Sequence, residues 1–255
     1  MKVVSVMNLK GGVGKTTTAI NMGAILTRAH HKKVVLMDLD PQANLTAFFG
    51  MGHHGGTAFS LIAEDIDPAA CTYQLGQEQL YVVPGDINLI MEDLAAITKN
   101  GGSARTFTRL GDALDVYRAS DVDYVIIDCP PCFSAASVAA IYCSDEVIIP
   151  IKIDGFSIAG VAQLKAQIDA LTGIRPSLGY GCLITMWHNV EVVREGCRAF
   201  LERYGDHVFQ THIRRSDMVD ESTYAGESLD LYSPTSAAGR DYRAFVAEYL
   251  GRNEK

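Results

Sequence analysis

The chain has 255 residues, enough for one α/β domain with a sizeable core. A hydrophobic content of 48% and a charged content of 20% are typical of a folded globular protein and exclude a disordered one. The formal net charge of −8 argues against a protein whose main role is to coat nucleic acid. No run reaches the ~20 apolar residues of a membrane span, and the N-terminus has no signal-peptide pattern. We therefore expect a cytoplasmic enzyme without membrane attachment.

Apolar runs and helical periodicity alternate along the chain, which is typical of a mostly parallel, twisted sheet with helices on both faces. This pattern predicts a single α/β domain over residues 1–255, with ligands at the carboxyl ends of its strands. The predicted strands are Val3–Met7, Val34–Met37, Leu80–Val83, Tyr124–Ile127, Val147–Ile151, Tyr180–Met186 and Val208–Ile213. The predicted helices are Thr16–Ala29, Ile87–Thr98, Ala104–Arg118, Ala135–Cys143, Ile158–Leu171, Val190–Tyr204 and Ala237–Leu250.

A glycine-rich segment, KGGVGKTT, lies between the first predicted strand and the first predicted helix. In a phosphate-binding loop of this kind, backbone N–H groups and a helix N-terminus surround the phosphate oxygens. Lys15 is expected to reach the terminal phosphates, and the Thr16 hydroxyl to complete a magnesium shell. The residues predicted to bind the nucleotide are Lys10, Gly11, Gly12, Val13, Gly14, Lys15, Thr16 and Thr17.

The first position of this loop departs from the usual G-x-x-x-x-G-K-[ST] pattern, because Lys10 stands where that pattern has glycine. A lysine at this position can direct its charge at phosphates held by an opposed subunit. The loop therefore predicts a dimer as well as a nucleotide.

Two of the predicted strands end in carboxylates. Asp38 and Asp40 follow the second strand and lie on the same side of it, and Asp128 follows four bulky apolar residues at the end of the fourth strand. Carboxylates close to a phosphate loop are suited to bind magnesium and to orient an attacking water. Asp128 has the form of a Walker B aspartate, and the prolines after it are suited to a segment that senses the γ-phosphate.

Together these three motifs resemble the ParA/Soj/MinD family of deviant Walker A ATPases, and the ParA/Soj branch in particular. The matching segments are Lys10–Thr18, Asp38–Gln42 and Asp128–Pro131. The resemblance implies slow hydrolysis of ATP with Mg²⁺, in a dimer that encloses two ATP molecules. It further implies that Lys10 crosses to the partner's phosphates. The implied roles are catalysis for Lys10, Lys15 and Asp40, and magnesium binding for Thr16, Asp38 and Asp128.

For the ParA branch, the resemblance implies an ATP-bound dimer that binds DNA without sequence preference, with a ParB-like adaptor that stimulates hydrolysis. Here the match weakens, because two basic positions of a late family segment are Met218 and Glu227, and the proline near the adenine is Arg214. Fewer basic contacts predict weaker DNA binding with a flatter salt dependence. The candidate DNA-binding residues are Arg194, Arg198, Arg214 and Arg215, which would also associate the protein with the nucleoid.

Other functions stay open at this stage. The main alternative is an ATP-switched positioning protein that acts on a protein cargo and binds little or no DNA. A MinD-like membrane helix is disfavoured because the apolar residues of Ala237–Leu250 are expected to pack on the sheet. An iron–sulfur role is disfavoured because Cys129 and Cys132 have no second cysteine pair. No acceptor-binding segment points to a metabolic phosphotransferase.

Overall fold

A computed structural model describes residues 1–52, 55–64, 66–76, 78–98, 102–153, 166, 169 and 178–253. Its centre is a seven-stranded sheet in the order β3-β4-β2-β5-β1-β6-β7. Every neighbouring pair is parallel except β3 and β4, which are antiparallel. The strands are β1 Lys2–Val6, β2 Val34–Asp38, β3 Tyr73–Gln74, β4 Leu80–Val83, β5 Tyr124–Asp128, β6 Glu146–Lys152 and β7 Gly179–Thr185.

Helices cover both faces of the sheet, as the alternating pattern predicts. One core lies mainly beneath α3, α5, α6 and α7, and the other beneath α1 and α10. The helices are α1 Lys15–His30, α2 Asn44–Phe48, α3 Ala58–Ala63, α4 Leu89–Thr98, α5 Gly102–Ala119, α6 Ala135–Cys143, α7 Glu191–Tyr204, α8 Met218–Ala225, α9 Leu229–Tyr232 and α10 Ala237–Asn253. The central strands are buried on both sides, which explains why they read as continuous apolar runs.

The predicted strand Val208–Ile213 is wrong. The segment runs beside β7 with only isolated bridges at Val208 and Arg214, although its apolar residues are buried. The reason is that the backbone N–H groups of Gln210 and Thr211 donate to the Glu248 carboxylate, at 2.7 and 2.8 Å, rather than to a neighbouring strand. The predicted helix Ile158–Leu171 falls, apart from residues 166 and 169, outside the described residues.

The C-terminal helix packs as the sequence predicts. Tyr242, Phe245, Val246 and Tyr249 are all buried in the core beneath α1 and α10. Among the described residues, no helix is both long and apolar enough to cross a membrane.

Three long-range hydrogen bonds tether the first loop and the first helix to the C-terminal third of the chain. Thr185 Oγ1 donates to the Val13 carbonyl at 2.8 Å, and the Leu229 N–H donates to Asn21 Oδ1 at 2.8 Å. The hydroxyls of Thr18 and Tyr242 lie 3.3 Å apart. We refer to these three contacts as the loop tethers. They fix the segment after β1 against β7, α9 and α10.

Candidate active site

The loop between β1 and α1 is a backbone cradle open to an anion. Gly12 and Gly14 have φ values of 69° and 85°, in the left-handed region where a side chain would be strained. Asn8 supports the loop from below, accepting the Lys10 N–H at 2.9 Å and donating to the Pro150 carbonyl at 2.8 Å. Because Gly14 caps α1, the first N–H groups of the helix face the cradle and favour a negatively charged ligand.

Lys15 is the cation of this cradle. The residue is only 8% exposed, and its Nζ donates to the Lys10 carbonyl at 3.4 Å. Burial lowers the pKa of Lys15, while the neighbouring charges of Asp128 and Asp40 favour its protonated form. An ammonium in this position, with one hydrogen bond to the loop backbone, is suited to bind phosphate oxygens.

Asp128 is a buried carboxylate beside the Thr16 hydroxyl. Neither of its oxygens has a hydrogen-bond partner within the described part of the chain, although the residue is 1% exposed. Burial raises the pKa of Asp128 well above its usual value, and the Asp38 charge adds to this, while the Thr16 hydroxyl and Lys15 ammonium oppose it. Unpaired carboxylate oxygens beside a hydroxyl are hard donors, so Thr16 and Asp128 fit a magnesium ion that also binds phosphate.

Asp38 is bonded differently, although it is the register partner of Asp128 on the adjacent strand. Its Oδ2 accepts from the Thr46 N–H at 2.9 Å and from the Thr46 hydroxyl at 2.7 Å, and its Oδ1 accepts from the Asp40 N–H at 3.2 Å. The Thr46 hydroxyl in turn accepts from the Gly85 N–H at 2.8 Å. Burial raises the pKa of Asp38 to about 6. The carboxylate therefore anchors α2 and the Asp40 backbone.

Asp40 lies at the edge of the site. It is 7% exposed, and its Oδ1 accepts from the Gln42 N–H at 2.9 Å while its carbonyl accepts from the Ala43 N–H at 2.8 Å. These turn contacts fix the carboxylate at the mouth of the cleft that also contains Lys15 and Thr16.

The carboxyl ends of the strands open into two connected cavities. The phosphate cleft, as we name it, has a volume of about 600 Å³ and contains the glycine loop, Lys15, Thr16 and Asp40. The side cavity has a volume of about 340 Å³. Motif reasoning did not identify the α8 wall of the cleft, since a short polar helix has no apolar periodicity to find. The residues common to both cavities are Gly14, Thr17, Met186, Val219 and Asp220.

Comparison with known proteins identifies the family. A family model described as an AAA domain matches residues 1–178. The chain is 33% identical to the chromosome partitioning protein ParA of Caulobacter vibrioides, over 99% of this chain and 95% of that protein. The chain belongs to the ParA/Soj family of P-loop ATPases. It is also 31% identical to the chromosome-partitioning ATPase Soj of Thermus thermophilus, over 98% and 95% of the two chains. An uncharacterized Mycobacterium tuberculosis protein is 34% identical over 98% of this chain and 79% of its own.

Solved structures confirm the fold of this ParA/Soj-type ATPase. A Mycobacterium smegmatis protein described as cobyrinic acid a,c-diamide synthase, with bound ADP and magnesium, superposes with a TM-score of 0.83 at 26% identity, covering 100% of this chain and 96% of that one. Apo McdA of Cyanothece gives a TM-score of 0.85 at 24% identity, covering 98% and 100%, which shows the shared fold. Members of this ATPase family use ATP with Mg²⁺.

The four arginines predicted to bind DNA differ in their ion pairing and in their exposure in this ParA/Soj-type ATPase. Arg194 is ion-paired with Glu191 one turn earlier on α7. Arg214 is ion-paired with Asp241, so its charge is already neutralised, and it lines the side cavity together with Arg215. Arg198 and Arg215 are exposed.

Proposed function

We propose that this ATPase is a partition switch of the ParA type. Binding of Mg-ATP in the phosphate cleft drives two copies into a sandwich dimer, and slow hydrolysis returns them to monomers. The observation that carries this proposal is the convergence of Lys15, Asp40 and the buried Asp128 on one glycine cradle. The relatives named for chromosome partitioning support a role in moving plasmid, mobile-element or chromosomal DNA.

In this proposal the residues of the cleft divide the work. Backbone N–H groups of the glycine loop and Lys15 bind the phosphates, while Thr16 and Asp128 hold Mg²⁺. The ion, when bound, neutralises charge on the phosphate oxygens. Asp40 orients the attacking water for in-line displacement at the γ-phosphate. Asp38, which the sequence assigns to magnesium, is given a different role in this proposal: it holds Asp40 and α2 in place, since its own oxygens accept hydrogen bonds from Thr46 and Asp40.

The position of Lys10 supports the dimer. Gly11, Gly12, Gly14 and Lys15 line the phosphate cleft of their own subunit, but Lys10 is not among the lining residues. A lysine at the start of the cradle, one residue before the cleft lining begins at Gly11, can meet the phosphates of a nucleotide held by a facing subunit. We therefore assign Lys10 to the partner's nucleotide.

Three variants test this scheme by sedimentation with saturating Mg-ATP. Asp40→Ala should bind ATP, hydrolyse it about 10²- to 10⁴-fold more slowly and accumulate as a dimer, because the water is no longer oriented. Lys10→Ala should bind ATP and stay monomeric. Lys15→Ala should bind no nucleotide and stay monomeric. A monomeric Asp40→Ala protein with ATP bound would refute the sandwich dimer.

We propose that the ATP-bound dimer binds DNA without sequence preference. We further propose that a ParB-like adaptor stimulates ATP hydrolysis. DNA binding would place the protein on the nucleoid. Of the four candidate arginines, Arg198 and Arg215 are exposed and can contact DNA phosphates. ATP-dependent retention on a nonspecific duplex at low salt, lost at moderate salt, is the expected result.

A second candidate function is an ATP-switched module that positions a protein cargo with little or no DNA contact. The observations that favour it are the net charge of −8 and the pairing of Arg194 and Arg214 with carboxylates. Absence of DNA retention at both salt concentrations, with ATP-dependent dimerisation intact, would select this function over partition on DNA.

A further inference from the structure

The segment between β5 and α6 connects Asp128 to the wall of the phosphate cleft. We name this segment, Cys129–Ser134, the proline segment, because it contains two adjacent prolines, of which Pro131 lines the cleft. Its first residue is fixed to the sheet, since the Cys129 N–H donates to the Val6 carbonyl at 3.2 Å. The prolines have no N–H group to donate to a neighbouring strand or helix. The position of the proline segment therefore depends on how the amino end of α6 is held.

Two sets of hydrogen bonds hold the amino end of α6. The first is local: the N–H groups of Ser134 and Ser137 each donate to the other's Oγ, at 2.8 and 3.0 Å, and Ser137 Oγ donates to the Cys132 carbonyl at 2.9 Å. The second reaches across the fold, because the Ala135 N–H donates to Asp93 Oδ1 on α4 at 2.6 Å. The local bonds move with the proline segment, whereas Asp93, 42 residues earlier in the chain, fixes the segment relative to its surroundings. A carboxylate is a favourable acceptor here, because it also interacts with the positive end of the helix dipole.

The amino end of α4 is tied to the other carboxylate loop of the site. Gly85, shortly before α4, donates its N–H to the Thr46 hydroxyl, which in turn donates to Asp38. A Cβ on Gly85 would lie 2.8 Å from the Asp38 carbonyl oxygen, so a glycine is needed for this close approach. Because Asp38 accepts from the Asp40 N–H, α4 connects the loop that carries Asp40 with the proline segment.

Polar contacts matter for the placement of α4, because three of its large apolar side chains are exposed rather than packed in the core. These residues are Ile90, Met91 and Leu94. Two adjacent carboxylates attach the helix to different neighbours. Glu92 Oε2 accepts from the Thr106 hydroxyl of α5 at 2.8 Å, and Asp93 accepts from α6. The Asp93 contact leads to the proline segment and the Glu92 contact does not, so the two carboxylates can be tested against each other.

We propose that Asp93 is a positioning residue for ATP hydrolysis. Through the Ala135 N–H it holds the proline segment, and with it the Asp128 carboxylate and the cleft wall at Pro131, in the arrangement in which water attacks the γ-phosphate. This inference rests on the role proposed above for Asp128. Asp93 is not among the residues that line the phosphate cleft, so it acts through α6 and not by contact with the nucleotide.

Single-turnover hydrolysis at saturating Mg-ATP tests the role of Asp93. Asp93→Ala should lower the rate constant about tenfold, because the proline segment is displaced from the reacting arrangement. The dissociation constant for Mg-ATP, measured by titration calorimetry, should stay within about twofold, since the glycine cradle and Lys15 are unchanged. Asp93→Asn keeps an acceptor oxygen at the same place and should retain most of the wild-type rate.

Ala135→Pro removes the same hydrogen bond from the side of its donor. Proline is well tolerated at the first position of a helix, and Ser134 before it is extended, with φ −81° and ψ 164°, which suits a residue that precedes proline. This variant should lose about the same factor in rate as Asp93→Ala. The double variant should be no slower than either single variant, because both changes remove one interaction.

Glu92→Ala is the matched control. It removes the neighbouring carboxylate of α4 and leaves the buried Thr106 hydroxyl without that partner, so its urea midpoint should fall as that of Asp93→Ala does. Its hydrolysis rate should stay near the wild-type value. Amide hydrogen exchange at Ala135, followed by NMR, gives a second readout. Exchange should be faster in Asp93→Ala and close to wild type in Asp93→Asn and Glu92→Ala.

Three results would overturn the inference: a wild-type rate in Asp93→Ala, an equal loss of rate in Asp93→Ala and Glu92→Ala, or additive losses in the double variant. Asp93→Asn as slow as Asp93→Ala would assign the effect to the charge of Asp93 and overturn its role through Ala135. If Asp93→Ala does not fold, the comparison of Ala135→Pro with Glu92→Ala decides in the same way. Failure of the underlying function is distinguishable, because it would appear as hydrolysis at the wild-type rate by Asp128→Asn.

Discussion

The phosphate end of the cleft and the arginine-bearing C-terminal region are stabilised in opposite ways. At the phosphate end, Lys15, Asp38 and Asp128 are all less than 10% exposed, and their charges act on each other at low dielectric. In the C-terminal region, Arg194 and Arg214 are half-exposed and neutralised by carboxylates on the same or a neighbouring helix. Exposed pairs of this kind contribute little stability. The ATPase site therefore depends on buried charges, whereas the charges of these two arginines are already neutralised at the surface.

The largest effect should come from Lys15→Ala. Removing the buried ammonium leaves the phosphates without their cation, and nucleotide affinity should fall about 100-fold or more. Titration calorimetry with Mg-ATP measures it. Lys33→Ala, just before the amino end of β2 and so at the opposite end of that strand from the cleft, is the matched control and should bind ATP as the wild type does. Equal Mg-ATP affinities for Lys15→Ala and Lys33→Ala would show that the buried ammonium of the phosphate end is not needed for nucleotide binding.

The pH dependence of Asp38 comes next. Burial raises its folded pKa to about 6, above the usual 3.8, so the folded protein binds this proton more tightly than the unfolded chain. Protonation of Asp38 therefore stabilises the folded state. This contribution to the free energy of unfolding is fully present below about pH 3.8 and is lost as the pH rises through 6, by up to about 3 kcal/mol. Urea unfolding at pH 4 to 6.5 should therefore show a steeper loss in wild type than in Asp38→Asn. Parallel curves would contradict the prediction.

A smaller loss is expected at Thr46, whose hydroxyl joins Asp38 to the Gly85 N–H. Thr46→Val keeps the shape but leaves both partners short of a bond, so the free energy of unfolding should fall by about 1–3 kcal/mol. Thr46→Ser should retain most of the stability. Thr223→Val, at an exposed position of α8 where the hydroxyl donates only to the Val219 carbonyl one turn earlier, is the control and should change the free energy of unfolding by less than about 0.5 kcal/mol. If Thr46→Val were as stable as Thr223→Val, the buried Thr46 hydroxyl would contribute no more to the free energy of unfolding than an exposed one.

The smallest effects concern the arginines. If the ATP-bound dimer is retained on DNA, Arg198→Ala and Arg215→Ala should each lower the salt slope of retention by about 1. Arg194→Ala should change it less, because that guanidinium is already paired with Glu191. Salt titrations of retention on one duplex, with all three variants, provide the measurement. A larger change for Arg194→Ala than for Arg198→Ala would place the DNA surface elsewhere.

The sequence predicted most of the phosphate end because continuous apolar runs mark buried parallel strands, and a carboxylate at the end of such a run is conspicuous. The sequence could not show that the Asp38 carboxylate accepts hydrogen bonds from Thr46, because that contact depends on the backbone turn at Ala43, which has a φ of 52°. Val208–Ile213 resembled a strand since its apolar residues are buried. The Glu248 carboxylate accepts two of its N–H groups in place of a strand. Glu248 lies 37 residues after Thr211, so nothing in the local sequence indicates this contact.

The loop tethers have a consequence for how this protein is made. The glycine cradle and α1 are synthesised before the residues that hold them, since their contacts to Thr185, Leu229 and Tyr242 span 172, 208 and 224 residues. Contacts of such sequence separation form late and slow the folding of a chain. A nascent chain that ends before α10 has the complete loop motif but lacks the contact to Tyr242 that helps hold α1. We therefore expect nucleotide binding to emerge only after α10 has been synthesised, so that shorter nascent chains do not compete for ATP.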